Sequence, residues 1–378
     1  LSMKIGVDAR LLSRPLTGIG RYTLEMCRAL SKEANISLYL YSPAPIHPEV
    51  VINLGSANIR TGNLNNILLR QLWTESYLPL WAKKDGVDVF WGPAHRLPRW
   101  LPRDLARVVT IHDLVWKYAG DTMRPLSRVL ERYQMPAAIL AADAVVADSK
   151  ATADAVKEEF FINPNKLSVV PLGASLAVNA ASFEVLKERG INRPYFLFVG
   201  TLEPRKNLIR LLTAYSYLSD SIKDQATLVI AGGTGWGGID INDTVADLGL
   251  GKYVRILGYV DESILATLYA NALFLAMPSV YEGFGLPLVE AMVRGSPVLT
   301  SNNSSMPEVA GNAGLLIDPL DTQSIKNGLE ELISNHNVRG ALADNARANV
   351  TRFNWDNAAK QLVSVFEKAI AGRENYQK

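Results

Sequence analysis

The sequence predicts an α/β protein built from two doubly wound domains, each a parallel sheet covered by helices on both faces. Three observations carry this prediction. The chain has 378 residues, which suits two cores of ordinary size better than one. Short, β-rich apolar runs alternate with helical patterns along it. The alternation pauses once, near the middle, and then resumes.

In the first series, strand-like runs lie at residues 4–8, 36–41, 87–91, 108–112 and 144–147. In the second they lie at 195–199, 227–231, 254–257, 273–277, 297–300 and 314–317. Helical periodicity fills gaps between them, for example at 19–30, 208–218 and 286–294. The pause covers residues 171–194: Pro171-Leu-Gly173 ends one series and Gly190-Ile-Asn-Arg-Pro194 precedes the next. The first domain is therefore placed at 1–178 and the second at 190–355. A last helical segment follows Phe353-Asn-Trp355 and fits either domain by its pattern alone. Ligands of such sheets bind beyond the carboxyl ends of the strands, so a central cleft faced by both domains is the expected place for chemistry.

Composition narrows the class. Apolar residues make up 48% and charged residues 20%, as in ordinary soluble domains. The one cysteine, Cys27, excludes a disulfide within the chain and suggests a reduced, cytoplasmic setting. It falls in an apolar helical pattern, which suits core packing better than nucleophilic chemistry. The four histidines, at 47, 95, 112 and 336, are scattered, and no Cys/His cluster has zinc spacing. No apolar run reaches the roughly 18 residues of a membrane span. A strand pattern already at 4–8 leaves no expectation of a signal peptide.

The net charge of +2 is uninformative, but its distribution is not. Residues 60–132 hold 12 Lys and Arg against 7 Asp and Glu, together with Trp73, Trp81, Trp91, Trp100 and Trp116. Such a segment suits an anionic lipid surface. It suits a solvated face over an ordinary core equally well. Nucleic acid fits less well, because no basic stripe extends through the chain.

Four motifs carry candidate chemistry. Thr17-Gly-Ile-Gly-Arg-Tyr22 opens a helix after the first strand; Gly18 and Gly20 would let backbone approach an anion at a helix N-terminus. Without a third glycine it is also readable as a plain turn. Gly200-Thr-Leu-Glu-Pro-Arg-Lys-Asn207 follows a strand directly. There Arg205 and Lys206 suit a pyrophosphate better than they suit a merely solvated pair. Ser279-Val-Tyr-Glu-Gly-Phe-Gly-Leu-Pro-Leu-Val-Glu290 follows another strand. Gly283 and Gly285 free the backbone, Pro287 suits a first helical turn, and Glu282 and Glu290 can meet different parts of one extended ligand. Ile111-His112-Asp113 and the Ala147-Asp-Ser149 stretch end two strands of the first series. A satisfied structural role is as good a reading for His112, and a better one for Ser149.

Together these motifs resemble the retaining glycosyltransferases of family 4, whose two-domain architecture is called GT-B. The resemblance runs through nearly the whole chain in order, and Glu282 to Glu290 is its most specific part. It implies that Gly18 and Gly20 lie by the pyrophosphate, with Gly200 in the same donor loop as Arg205 and Lys206, which neutralise it. Glu282 would hold donor-sugar hydroxyls with help from Gly283 and from backbone N–H groups of Phe284, Gly285 and Leu286. Glu290 would bind the ribose. Gly258, Tyr259 and Val260 would contact the base. His112 would serve catalysis near the anomeric carbon, with Asp113 and Ser149 on the acceptor side. The final segment, 356–378, would pack back on the first domain.

The resemblance also implies transfer with retention. No Asp-x-Asp motif ends a strand: Asp318-Pro-Leu-Asp321 and Asp240-Ile-Asn-Asp243 have other spacing. Transfer is therefore expected to need no metal and no cofactor beyond the nucleotide-sugar donor. The opening Val7-Asp-Ala-Arg-Leu-Leu12 followed by Thr-Gly-Ile-Gly looks like that of bacterial mannosyltransferases of O-antigen and exopolysaccharide assembly. GDP-mannose is the expected donor, with UDP-hexoses and dTDP-rhamnose open. A polyprenyl-diphosphate-linked glycan is the expected acceptor. The basic segment would then meet the inner face of the plasma membrane. Two alternatives stand beside this reading: a phosphorylase with Lys206 holding pyridoxal phosphate, and a catalytically silent GT-B subunit that docks on glycan or lipid.

Overall fold

The computed structural model describes residues 2–377 apart from 15, 17, 53, 65, 175–178 and 238–239. Its chain divides into two compact units. One comprises Leu1–Leu114, Val129–Gly173 and Asn354–Lys378; the other comprises Val115–Arg128 and Ala174–Phe353. The boundary read at residue 178 lies outside the described residues, as does Lys378. Unlike the sequence reading, the structure groups Val115–Arg128 with the second unit, where Trp236 Nε1 donates to Thr122 O at 2.9 Å.

The first unit is a seven-stranded parallel sheet in the order β3-β2-β1-β4-β5-β6-β7. Its strands are β1 (Met3–Asp8), β2 (Ile36–Ser42), β3 (Asn58–Thr61), β4 (Val89–Gly92), β5 (Ala106–Ile111), β6 (Ala144–Ala147) and β7 (Leu167–Val169). The second is a six-stranded parallel sheet, β10-β9-β8-β11-β12-β13. Its strands are β8 (Tyr195–Val199), β9 (Thr227–Ala231), β10 (Val254–Gly258), β11 (Leu275–Met277), β12 (Val298–Ser301) and β13 (Gly314–Ile317). The central strands are buried on both faces, as in β6 and β9, where every residue is buried. A parallel strand covered by helices on both sides must read as a continuous apolar run.

Each sheet reverses its strand order once, between β1 and β4 in the first unit and between β8 and β11 in the second. Loops leaving the carboxyl ends of strands beside such a reversal splay apart and leave room for a ligand. In the second unit these are the loops after β8 and β11, which carry Arg205-Lys206 and Glu282.

The helix Trp355–Gln377 packs on the first unit, against the helix Gly18–Leu30 and β5. Phe366 meets Trp91 and Trp355 meets Tyr22, while Lys32 pairs with Asp356 and Arg373 with Asp143, both at 2.8 Å. Gly173 lies so close to Trp355 that a Cβ there would come within 2.3 Å of the indole.

One expectation is corrected here. The tryptophans of residues 60–132 do not form a lipid-facing surface. Trp73, Trp91 and Trp116 are buried in the core and Trp81 is half-buried, which leaves only Trp100 of the five exposed. The indoles fill space between sheet and helices, where their large apolar area contributes most. Among the described residues no helix is long and apolar enough to cross a membrane.

Candidate active site

In the second unit, β8 ends in Gly200, whose φ of +148° few other residues adopt. Gly232, after β9, presses on it: a Cβ at Gly232 would lie 1.9 Å from Gly200 O. The chain then makes one 3-10 turn, Pro204–Lys206, and passes through Asn207 in the left-handed region at φ +62° into the helix Leu208–Ser216. The Asn207 amide ties this turn to the loop after β11 by donating to Pro278 O at 2.9 Å, and it donates also to Pro319 O at 2.7 Å.

The loop after β11 rests on the residues that follow β12. Ser301 Oγ donates to Ser279 O at 2.7 Å, and Ser305 Oγ donates to Glu282 O at 2.9 Å and Phe284 O at 3.0 Å. Ser304, itself at φ +49°, accepts from the Glu282 backbone N–H at 3.1 Å. Gly285, at φ +98°, then turns the chain into the helix Leu286–Val293. A short polar segment thus fixes the backbone of Glu282 from below.

These two loops bring four charges together. Glu282 Oε1 lies 2.6 Å from Lys206 Nζ, and Glu282 Oε2 lies 2.5 Å from an Arg205 Nη1 that also donates to Tyr281 O at 2.8 Å. Arg205 Nη2 pairs with Glu203 Oε1 at 2.6 Å. Glu203, Lys206 and Glu282 are all buried. Burial alone would raise the Glu282 carboxyl, but Arg205 and Lys206 outweigh it and hold it at about 2. The cluster holds two cations and two anions.

Glu290 lies one turn inside the following helix, where its Oε2 accepts from the buried Tyr269 hydroxyl at 2.8 Å. Gly258 closes β10 at φ +67° and accepts from Gly232 N at 2.8 Å; Tyr259 beyond it is exposed. Gly283 and Phe284 are buried, and Leu286 and Val260 are partly buried.

In the first unit, the helix Gly18–Leu30 begins at Gly18, so Gly18 and Gly20 both sit in its first turn; Thr17 lies outside the described residues. Among the described residues, a Cβ on Gly18 would meet nothing within 4 Å. His112 follows β5 and is buried. Its Nδ1 contacts Asp148 Oδ2 closely, its Nε2 lies 2.6 Å from Pro93 O, and its ring meets Tyr22 edge-on at 4.7 Å. Both ring nitrogens thus have oxygen partners, which fix the orientation of the ring. Asp113 is partly buried.

Ser149 has a structural role in this unit. It is wholly buried and caps the helix Lys150–Phe160 by accepting from Thr152 N at 3.0 Å. Five polar residues escaped the sequence reading: Asp148, His95, Glu203, Tyr269 and Ser304. The first had a signal, since Asp148 ends β6 beside Ser149 and a carboxylate buried there needs a partner.

Known proteins resemble this chain along nearly its whole length. Residues 183–349 match the family Glycosyl transferases group 1, and residues 16–178 match Glycosyltransferase Family 4. O-antigen chain mannosyltransferase B of Escherichia coli is 32% identical over 386 residues, covering 97% of this chain and all of that protein. O-antigen chain mannosyltransferase RfbU of Salmonella typhimurium strain LT2 is 27% identical, covering 94% of this chain and 97% of that one. Among solved structures, sucrose-phosphate synthase from Thermosynechococcus elongatus shares the fold with a TM-score of 0.77 at 21% identity, covering 98% of this chain and all of that one. With full-length likeness to the first relative and both halves matched in order, the chain belongs to glycosyltransferase family 4 and is a glycosyltransferase of GT-B fold.

Proposed function

We propose that the enzyme transfers mannose from GDP-mannose, with retention and without a metal ion, to a lipid-linked glycan in O-antigen or related polysaccharide assembly. The observation that carries this reading is the clamp of Glu282 between Arg205 and Lys206 at the strand-order reversal of the second sheet. Two cations on one turn are what a diphosphate leaving group requires, and they do the work that a divalent cation does elsewhere. Their charge is balanced by Glu203 and Glu282. An arriving diphosphate draws both cations to itself and frees the Glu282 carboxylate to accept bonds from sugar hydroxyls. Glu290, held by Tyr269, takes the ribose hydroxyls.

The C1–phosphate bond breaks as charge builds on the leaving oxygen. The acceptor oxygen bonds to C1 on the same face, and its proton passes to the departing phosphate. His112, buried at the end of β5 with Nε2 beside Pro93 O, is assigned a catalytic role in transfer. Mannose as the sugar is supported by the two relatives named above, both O-antigen chain mannosyltransferases.

A membrane-borne acceptor is supported by the helix Pro125–Ala141. Val129, Leu130, Tyr133 and Leu140 stand exposed along one face of it, with Arg132 exposed beside them. Met135, Ala138 and Ile139 are buried on the other. An exposed apolar stripe with a basic flank suits an anionic bilayer surface.

A thermal-shift series with GDP-mannose, UDP-glucose and dTDP-rhamnose, followed by product analysis with EDTA present, tests the reading. GDP-mannose should raise the melting temperature most, and it should yield the α-linked product with the chelator present. A response to another donor alone replaces the assigned sugar nucleotide. Turnover lost to EDTA overturns the metal-free mechanism, and no response to any donor revives the silent docking subunit.

A further inference from the structure

Behind His112 lies a second buried histidine that the mechanism above does not use. His95 lies in the β4–β5 connection, two residues beyond Pro93, and also touches His112. It sits in the left-handed region at φ +62°, a conformation that non-glycine residues keep only where the surroundings enforce it. Two bonds enforce it here. The His95 backbone N–H donates to Thr110 O at 3.0 Å, and His95 Nε2 accepts the backbone N–H of His112 at 3.0 Å. Because Nε2 accepts, the ring proton sits on Nδ1, which faces Glu131 Oε2 at 3.4 Å.

Glu131 reaches inward from the helix Pro125–Ala141, on the face that buries Met135 and Ala138 one and two turns further on. Arg96 steadies it from 3.5 Å. The two imidazole rings lie 5.2 Å apart.

We infer that His95 and Glu131 are positioning residues for His112, fixing the backbone at the end of β5 so that the His112 ring stays aligned between Asp148 and Pro93 O. The inference rests on the catalytic role given to His112 above. A left-handed turn, a side chain spent on one backbone N–H, and a partly buried carboxylate that holds that side chain make a costly way to build a loop. The arrangement does one thing a plain loop would not: it sets where His112 begins.

It also makes the alignment sensitive to pH. Burial works against a charged His95 ring, but Glu131, with Asp113 and Asp148 further off, outweighs it and raises His95 above the ordinary histidine range. Protonation puts a hydrogen on Nε2, opposite the His112 N–H, and the bond between them is lost. Arg96 faces the same carboxylate of Glu131, and the titratable ring of His112 lies alongside. Transfer should therefore weaken as pH falls through the His95 titration.

The test is the pH dependence of kcat for the wild type, His95→Leu, His95→Asn, Glu131→Gln, His112→Asn and the double variant His95→Leu/His112→Asn. His95→Leu should lower kcat about 10- to 100-fold, the loss that goes with one buried hydrogen bond, while KM for the donor changes little. His95→Asn keeps an acceptor that does not titrate, so part of the rate should return and the acid limb should disappear. Glu131→Gln should move that limb to lower pH, and in the double variant the two losses should not multiply. A merely structural role would leave the limb in place. A His95→Leu rate within twofold of wild type, or a limb unmoved in both His95→Asn and Glu131→Gln, overturns the positioning role. Should His95→Leu not fold, those two variants decide alone. Normal turnover in His112→Asn would instead remove the catalytic role of His112, and the inference with it.

Discussion

Lys206 Nζ lies 2.6 Å from Glu282 Oε1, although the two residues are 76 positions apart and both are buried. Burying an ion pair does not stabilise a fold cheaply, because each charge gives up its water. What the pair secures here is register between two loops that share no strand. Asn207 holds the same two loops through Pro278 O, so the backbone junction does not depend on the charges.

Lys206→Met and Glu282→Gln should therefore fold, with a lowered melting temperature, and fail in catalysis. Each removes one member of the clamp and leaves Arg205 in place. Loss of Lys206, a preplaced cation facing developing negative charge, should cost on the order of 100- to 1,000-fold in turnover, and loss of the Glu282 charge removes the acceptor for the sugar hydroxyls. Release of nucleoside diphosphate is the readout, with circular dichroism to confirm the fold. Turnover within tenfold of wild type in either variant would remove the assigned role. The double variant should melt above Lys206→Met, because it no longer buries an unmatched carboxylate.

Acid stability offers a second check on the same carboxylate. Its folded value is about 2 against an ordinary 4.5. A depressed acid stabilises the fold above its unfolded value, and that contribution drains away as pH falls toward the folded one. Urea midpoints of the wild type should thus drop between about pH 4.5 and 2 by more than those of Glu282→Gln, a difference on the order of a few kcal/mol. Parallel curves for the two proteins would show that Glu282 is not held as an ion in the folded chain.

Much of this protein was legible in its sequence, for identifiable reasons. Strands such as Tyr195–Val199 and Thr227–Ala231 are covered on both faces, so their apolar runs stand out against the helical patterns beside them. Asn58–Thr61 and Leu167–Val169 went unread, because each is a short strand at a sheet edge and needs apolar residues on few of its positions. Arg205, Lys206 and Glu282 could be found because their loops leave strand ends directly. His95 and Glu203 could not. Glu203 looks like a solvated neighbour of Arg205 until burial forces it to be a partner, and the value of His95 lies in a left-handed backbone that a histidine does not advertise. The tryptophans misled because aromatic content does not say which way a side chain faces. The cap made by Ser149 was not legible, because a strand-end serine can cap the next helix as readily as it can meet a substrate.

The surface that replaces the tryptophans as the membrane-facing candidate can be tested without touching the chemistry. Leu130 and Tyr133 are exposed by 39% and 70% on the outer face of the helix Pro125–Ala141, while Glu131 between them points inward to His95. Burying two such side chains in a lipid interface contributes about 1–2 kcal/mol each. Leu130→Ser/Tyr133→Ser should therefore lose at least tenfold in binding to phosphatidylglycerol-containing vesicles, read by flotation. Neutral phosphatidylcholine vesicles should bind the wild type less, since Arg132 then has no anionic headgroups to meet. Transfer to a water-soluble acceptor should be unchanged in the variant, because neither side chain belongs to the Glu282 cluster or to the His95–His112 pair. Equal flotation of the two proteins would show that this helix face is not the docking surface. A fall in soluble transfer would show that the stripe serves the fold of the first unit and not the membrane.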